Sequence, residues 1–250
     1  MPSGHGQYAL KTPAPEAADA LAAENMLRRE ATVMRAVSQA HVLPLLDGQF
    51  RSPPYYLLTP FLEGATLGDV LAAGLRVPVR HALWIARQTA QALDALHTAG
   101  WVHGDLKPAN IHVAPSGHVT LLDLAMARRV DARAADRPVA FAGTLTYAAP
   151  EQLQTGQAVK TRSDIYSLGV VLYQLLAGHP PFTGPNAASL ADAHLHTPPP
   201  PLQLPDCPTA VDIRQLVARM LAKEPLRRPS SARDLAARLS RLEVAALARR

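Results

Sequence analysis

HGDLKPANI, residues 103–111, and LLDLA, residues 121–125, decide how this chain is read. The first stretch places Asp105, Lys107 and Asn110 in one loop. The second places Asp123 at the end of a strand, 18 residues after Asp105. Carboxylate and amide oxygens suit magnesium, a hard cation that also takes phosphate oxygens and water. An Asp beside a Lys can accept a hydroxyl proton while the ammonium steadies a moving phosphoryl charge. Any one of these residues alone would be surface. Four at this spacing, around a hairpin of IHVA and VTLLD joined by the turn PSGH, point to a phosphate and a metal.

Outward from this loop, the order of elements is that of an α+β protein with two unequal lobes. Toward the N-terminus, a short strand is expected at Tyr8–Lys11 and a helix over Ala17–Val37. Strands are expected at Val42–Phe50 and Tyr55–Leu62, separated by RSPP. EGATLGDVL turns into a short helix, and an amphipathic helix runs from Pro78 to Ala99, with Leu83, Ala86, Ala90, Leu93 and Leu96 at helical spacing. From Ser163 onward only helices are expected. Their connectors are rich in proline, and the PPPP of residues 198–201 reads as one of these connectors.

Composition agrees with a packed globular chain. Of 250 residues, 48% are hydrophobic and 18% charged, enough to bury a core and unlike a disordered chain. The single cysteine, Cys207, excludes an internal disulfide and a cysteine zinc site, and points to a reducing compartment. The net charge of +5 comes mostly from Arg scattered along helices without interleaved aromatics, so it reads as solvated surface and no nucleic-acid partner is expected. No apolar run approaches a membrane span, and MPSGHGQYAL does not have the layout of a signal peptide. A cytoplasmic protein is expected.

The chain resembles the eukaryotic-type protein kinases of the Ser/Thr class in their bacterial style. The resemblance rests on motifs in order: YALK, the helix RREATVMRAV, YYLLTPFLEG, HGDLKPAN, LLDLA, GTLTYAAPE, SDIYSLGVVLYQLLAGHPPF and KEPLRRPSSARDL. It implies a kinase-like fold with a reduced N-terminal β lobe, residues 1–62, and a helical lobe, residues 63–250. It implies ATP and Mg2+ as cofactors and a protein with a Ser or Thr acceptor as substrate. Lys11 would hold the α- and β-phosphates, oriented by Glu30. Asp105 would be the catalytic base, Lys107 would neutralise γ-phosphate charge, and Asn110 and Asp123 would hold magnesium. Thr59 takes the gatekeeper position. Ala9 would touch the nucleotide, and Pro60 and Leu62 would offer hinge backbone groups, the carbonyl alone being needed from proline. Thr144 would brace Asp105 and Lys107. Glu151 would form a buried ion pair with Arg228, and Asp164 would accept N–H bonds from the catalytic loop. His103 would pack in the core behind that loop.

Three departures from the family pattern stand out. Only ten residues precede Lys11, so no glycine-rich loop is visible, and Gly4 and Gly6 read as a turn. Without that lid, the edge and one face of the lysine strand would be exposed. Then ATP binds poorly, or the reading frame starts upstream of Met1, or another chain supplies the lid. Gly104 replaces the arginine that precedes the catalytic Asp and binds an activation-loop phosphate. His112 replaces an aliphatic residue beneath the adenine. The stretch Met126–Gly143 holds no Ser, Thr or Tyr, so activation by phosphorylation of that loop is not expected. The missing lid and His112 motivate one alternative, a non-catalytic kinase-like binding module. A small-molecule phosphotransferase is a weaker one, because GTLTYAAPE and Arg228 belong to a peptide-binding segment.

Overall fold

The computed structural model describes residues 6–13, 20–132, 144–154, 157–204 and 209–247. Strand β1 (Tyr8–Lys11) is followed by helix α1 (Ala20–Ala36), β2 (Asp47–Gln49) and β3 (Tyr56–Pro60). These strands form an antiparallel sheet in the order β1-β3-β2, with Ala9 opposite Thr59 and Lys11 opposite Leu57. Helix α1 buries Leu27, Glu30, Ala31, Val33 and Met34, a stripe at helical spacing that carries one carboxylate among apolar groups. β1 is one of the two edge strands, and all four of its residues are exposed. The side chains of Tyr8 and Leu10 are left in water, at 61% and 62% exposure.

The strand expected over Val42–Phe50 shrinks to Asp47–Gln49. Pro44 has no N–H to give a ladder. The residues before it are used elsewhere: Leu121 N–H donates to the His41 carbonyl at 2.8 Å, and Leu43 N–H donates to the Leu121 carbonyl at 3.1 Å. The segment therefore ties the first sheet to strand β7 (Val119–Leu121) of a second one.

That second sheet has the order β4-β6-β7, with β4 at Ala65–Thr66 and β6 at Ile111–Val113. Thr66 also starts helix α2 (Leu67–Ala72) through a capping box, its hydroxyl accepting from Asp69 N–H at 3.2 Å and the Asp69 carboxylate accepting from Thr66 N–H at 3.0 Å. Helix α3 (Val79–Thr98) follows, close to the expected span. β5 (Trp101–Val102) and β8 (Arg128–Arg129) form a two-residue ladder on either side of the loop that holds Asp105 and Lys107.

The remainder is helical, as the sequence leads one to expect: α4 (Pro150–Leu153), α5 (Thr161–Ala177), α6 (Ala187–His196), α7 (Ala210–Met220) and α8 (Ala232–Leu247). Helix α5 is the centre of the core. Twelve of its residues are buried, on every side, so it has no solvent face and is apolar nearly all round. It ends at Gly178, whose φ of 84° is the left-handed conformation that closes helices. Each fully buried leucine, Leu168 and Leu172 among them, contributes about 1.5–3 kcal/mol. No helix among the described residues is long and apolar enough to cross a membrane.

Gly169 sets how closely α5 and α7 approach. A Cβ added there would lie 2.8 Å from Met220 Cβ, an atom that cannot swing away. Overpacking of this kind costs about 1–3 kcal/mol, and the gain in helix propensity returns at most about 1 kcal/mol. Gly169→Ala should therefore lower the urea midpoint. A midpoint equal to or above that of the parent protein would contradict this packing.

Candidate active site

The catalytic loop is held from below by one carboxylate. Asp164, in the first turn of α5, is buried; its Oδ2 accepts from His103 N–H at 2.9 Å and its Oδ1 from Gly104 N–H at 3.0 Å. His97 Nε2, from the last turn of α3, lies 2.8 Å from Oδ2. Burial pushes the Asp164 carboxyl up, but the His97 contact, the charge of His103 and the Gly104 N–H outweigh it and hold the group below the usual carboxylate range. Gly104 has φ +79°, and a Cβ there would meet the Met126 carbonyl at 3.0 Å. An unbranched, Cβ-free residue at this point lets two successive N–H groups converge on one carboxylate.

Above that anchor, Asp105 and Lys107 form a compact network. Lys107 Nζ donates to Asp105 Oδ2 at 2.6 Å and to Thr144 Oγ1 at 3.1 Å, while Thr144 N–H donates to Asp105 Oδ1 at 3.1 Å. Asn110 spends its NH2 on the Asp105 carbonyl at 2.9 Å, which fixes the amide and leaves its oxygen as the side chain's acceptor. Leu122 N–H donates to the Asn110 carbonyl at 2.8 Å, so Asp123 enters beside Asn110. Asp123 has φ +54°, a left-handed conformation that aspartate tolerates better than most residues.

Lys11 reaches this loop from the first sheet. Its ammonium donates to Glu30 Oε2 at 2.7 Å and to Asp123 Oδ1 at 3.0 Å. Burial alone would lower the lysine pKa, but Glu30 and Asp123 raise it above the ordinary value. Burial raises the Glu30 carboxyl against the pull of Lys11. For Asp123 burial is outweighed, and Lys11 holds its carboxyl below the usual range. Hard oxygen donors on Asn110 and Asp123, beside an ammonium already seated on the Asp123 carboxylate, fit a divalent cation with phosphate.

The wall for a base is less regular. Thr59 is buried on β3, Pro60 ends that strand and Leu62 is half-buried just beyond it. Ala9 and Lys11 alternate along the exposed β1. His112 is 6% exposed, neither ring nitrogen has a hydrogen-bond partner, and burial lowers its pKa.

The segment that closes the site is pinned at its far end. Glu151 is buried on α4 and Arg228 is fully enclosed: Nη1 and Nη2 donate to the Glu151 carboxylate at 2.7 and 2.8 Å. The remaining guanidinium donors go to the carbonyls of Ala222, Arg162 and Lys223 at 2.8, 2.9 and 3.0 Å, and Ser163 Oγ donates to Glu151 at 2.6 Å. Gln152 was not foreseen from sequence. Its NH2 donates to the Gly104 carbonyl at 2.8 Å and its oxygen accepts from Ala149 N–H at 2.9 Å. His97, Ser163 and Gln152 are placed only by tertiary contact, and nothing in their local sequence marks them. Cys207 and residues 133–143, most of the stretch without hydroxyls, lie outside the described residues.

The strand that carries Lys11, the helix that carries Glu30, the loop of Asp105 and the segment clamped by Arg228 meet in one site, and comparison gives the family. The protein kinase domain model matches residues 3–239, and the chain belongs to that family. It is 40% identical over 183 residues to serine/threonine-protein kinase PknA of Mycobacterium tuberculosis, covering 73% of this chain and 41% of that protein. It is 34% identical over 220 residues to PknB of Mycobacterium leprae, covering 86% and 35%. It is 34% identical over 245 residues to PknA of Corynebacterium glutamicum, covering 95% and 51%. The chain spans between about a third and a half of these relatives.

Two outcomes follow from the buried acids. Glu151→Ala leaves the enclosed Arg228 charge unpaired and should cost about 3–5 kcal/mol in urea unfolding; an unchanged midpoint would refute the pairing. Asp164 has a depressed pKa in the folded state, so its stabilisation is present above the ordinary carboxylate pKa and is lost as pH falls through the folded one. The stability gap between the protein and Asp164→Asn should therefore hold level above about pH 5 and narrow as the pH is lowered from there through the ordinary carboxylate pKa of about 3.9 and beyond. A gap that stays constant over that range would show that the carboxylate's charge is not what matters.

Proposed function

We propose that this chain is a serine/threonine protein kinase, transferring the γ-phosphoryl group of ATP to Ser or Thr hydroxyls of proteins. The observation that carries the reading is the bridge of Lys11 to both Glu30 and Asp123, which brings the lysine strand onto the catalytic loop. The kinase names of the relatives support it. So does the Asp105–Lys107–Thr144 network beside it.

Bound ATP with Mg2+ supplies the phosphoryl group and a cation that spreads its charge. The chain's residues do the rest. Asn110 and Asp123 offer the oxygens for magnesium, and Lys11, held by Glu30, offers its ammonium to the α- and β-phosphates. Asp105 takes the proton of the acceptor hydroxyl, and Lys107 places its positive charge where phosphoryl charge builds up. Pro60 and Leu62 present backbone groups to the base, with Ala9 above and His112 below. We place the division of lobes after Leu62, where β3 gives way to the turn into α2, and we place the protein in the cytoplasm, in keeping with its single cysteine.

A non-catalytic binding module is the second reading, favoured by the buried, unpartnered ring of His112. Phosphate transfer from ATP to a generic Ser/Thr protein separates the two. Asp105→Asn should reduce transfer by about 10²–10⁴-fold, and Lys11→Met should abolish it with the chain still folded, at a lowered melting midpoint because the buried Glu30 carboxylate loses its ammonium. Equal transfer by parent and Asp105→Asn would remove the enzyme reading. The uncovered face of β1 also leaves the nucleotide wet, which weakens each charged contact. Calorimetry on the 250-residue chain should show weak ATP binding, and low-micromolar affinity would contradict this.

A further inference from the structure

A second concave surface lies away from the catalytic loop, between α2, the first half of α3 and the turn that joins β6 to β7. It encloses about 700 Å³. Its floor is apolar: Leu67 is 1% exposed and Ile85 6%. Two large apolar side chains stand in water on its rim, Leu75 at 60% and Trp84 at 44% exposure. Scattered exposed apolar residues are ordinary, but an apolar hollow rimmed by them marks a place where another molecule sits.

The hollow is preformed. Trp84 Nε1 and Gln88 Nε2 both donate to the Gly117 carbonyl, at 2.9 and 3.0 Å, and Val119 N–H donates to Gln88 Oε1 at 3.1 Å. The turn is thereby fixed to α3. The capping box at Thr66 fixes α2 on the opposite side. Little ordering remains to oppose binding.

Charge selects the occupant. The charged or titratable side chains lining the hollow are Arg76 and His81, and no carboxylate lines it. Two arginines of this region that do not line the hollow are engaged: Arg87 with Glu243 at 2.9 Å and Arg233 with Asp94 at 3.1 Å. Arg76, by contrast, has no hydrogen bond or ion pair among the described residues. A hollow with an apolar floor, one unpaired guanidinium and a histidine ring on its rim, and no carboxylate in its lining is complementary to an extended peptide whose apolar side chains enter the floor and whose carboxylates accept from Arg76 and His81. A second copy of this chain is a poor fit, because a chain of net charge +5 repels its own basic face.

We infer that this hollow is a docking site for an acidic, leucine-rich segment of a protein partner. If that partner is also the phosphoryl acceptor, docking raises the local concentration of its hydroxyl at Asp105 without touching the chemistry; this consequence rests on the proposed kinase function, whereas the binding itself does not.

The test uses fluorescein-labelled twelve-residue peptides and the 250-residue chain, read by fluorescence anisotropy. One peptide alternates Leu and Asp, a second alternates Leu and Lys, and a third alternates Ser and Asp. The Leu–Asp peptide should bind and the other two should not. Arg76→Glu with His81→Glu should weaken binding by about tenfold or more, and so should Leu75→Asp, with melting curves and phosphorylation of a short generic peptide unchanged. No binding of the Leu–Asp peptide, equal binding of the Leu–Lys or the Ser–Asp peptide, or binding undiminished by both variants, would overturn the inference. Sedimentation showing a dimer that Leu75→Asp dissociates would assign the hollow to a second copy and also overturn it. Because the anisotropy requires no catalysis, loss of the kinase reading would leave this result standing, and the reverse.

Discussion

Two oxygens on one side chain, those of Asp164, hold the catalytic loop in place, and the rest of the site is built from that loop. A buried carboxylate is costly unless every lone pair finds a donor. Here the donors are the successive N–H groups of His103 and Gly104 and the ring of His97, so the same contacts that satisfy the acid also fix the loop. Consecutive N–H groups converge on one acceptor only when the backbone alternates hand, and φ +79° at Gly104 supplies that alternation. Since Asp164 is part of α5, the most deeply buried helix, the loop inherits the rigidity of the core.

The second buried acid solves the same problem differently. Glu151 is matched by a guanidinium whose five donors all have acceptors, two on the carboxylate and three on backbone carbonyls. The pair joins α4 to the loop before α8, and through Ser163 to the start of α5. Thr144, Glu151 and Gln152 thus attach one segment to the catalytic loop, to Arg228 and to the Gly104 carbonyl. Gln152 is notable because Gly104 cannot supply the side-chain cation that the family resemblance leads one to expect there. A neutral amide, bonded at both of its polar atoms, links loop and segment instead, and needs no phosphate to do so.

What could be read from the sequence was whatever repeats along it or is packed into a short motif. The period of α3 gave its span to within a residue at each end, and the loop residues Asp105, Lys107, Asn110 and Asp123 announce themselves by spacing. The pairs Lys11–Glu30 and Glu151–Arg228 came only through family resemblance, and the Lys11–Asp123 contact was not legible at all, because each joins residues far apart in the chain. His97, Ser163 and Gln152 had no signal at all: each is an unexceptional polar residue whose role is fixed by what α5 and the loop bring to it. The expected strand over Val42–Phe50 failed for a local reason, proline at position 44, and a non-local one, the demand of Leu121 for backbone partners.

These facts divide the site into a fixed part and a lightly held part. Asp105, Lys107, Asn110 and Thr144 are bonded to one another and, through Asp164, to a core that is closed on all sides. Lys11 is different. Its strand has no buried residue, pairs on one edge only, and is drawn to the loop by an ammonium whose side chain is 49% exposed. An ion pair with that much water near it is worth little, about 0–1 kcal/mol, and the Glu30 carboxyl it meets is itself disfavoured by burial. The Lys11–Asp123 contact is therefore easily exchanged. Under the proposed function, a polyphosphate entering the cleft would meet an ammonium that can leave Asp123 at small cost while Glu30 keeps hold of it, and the vacated carboxylate would then be open to a cation. The geometry of the loop around Asp105 is set by the helical core, whereas Lys11 sits on an exposed strand held to that loop by an ion pair open to water.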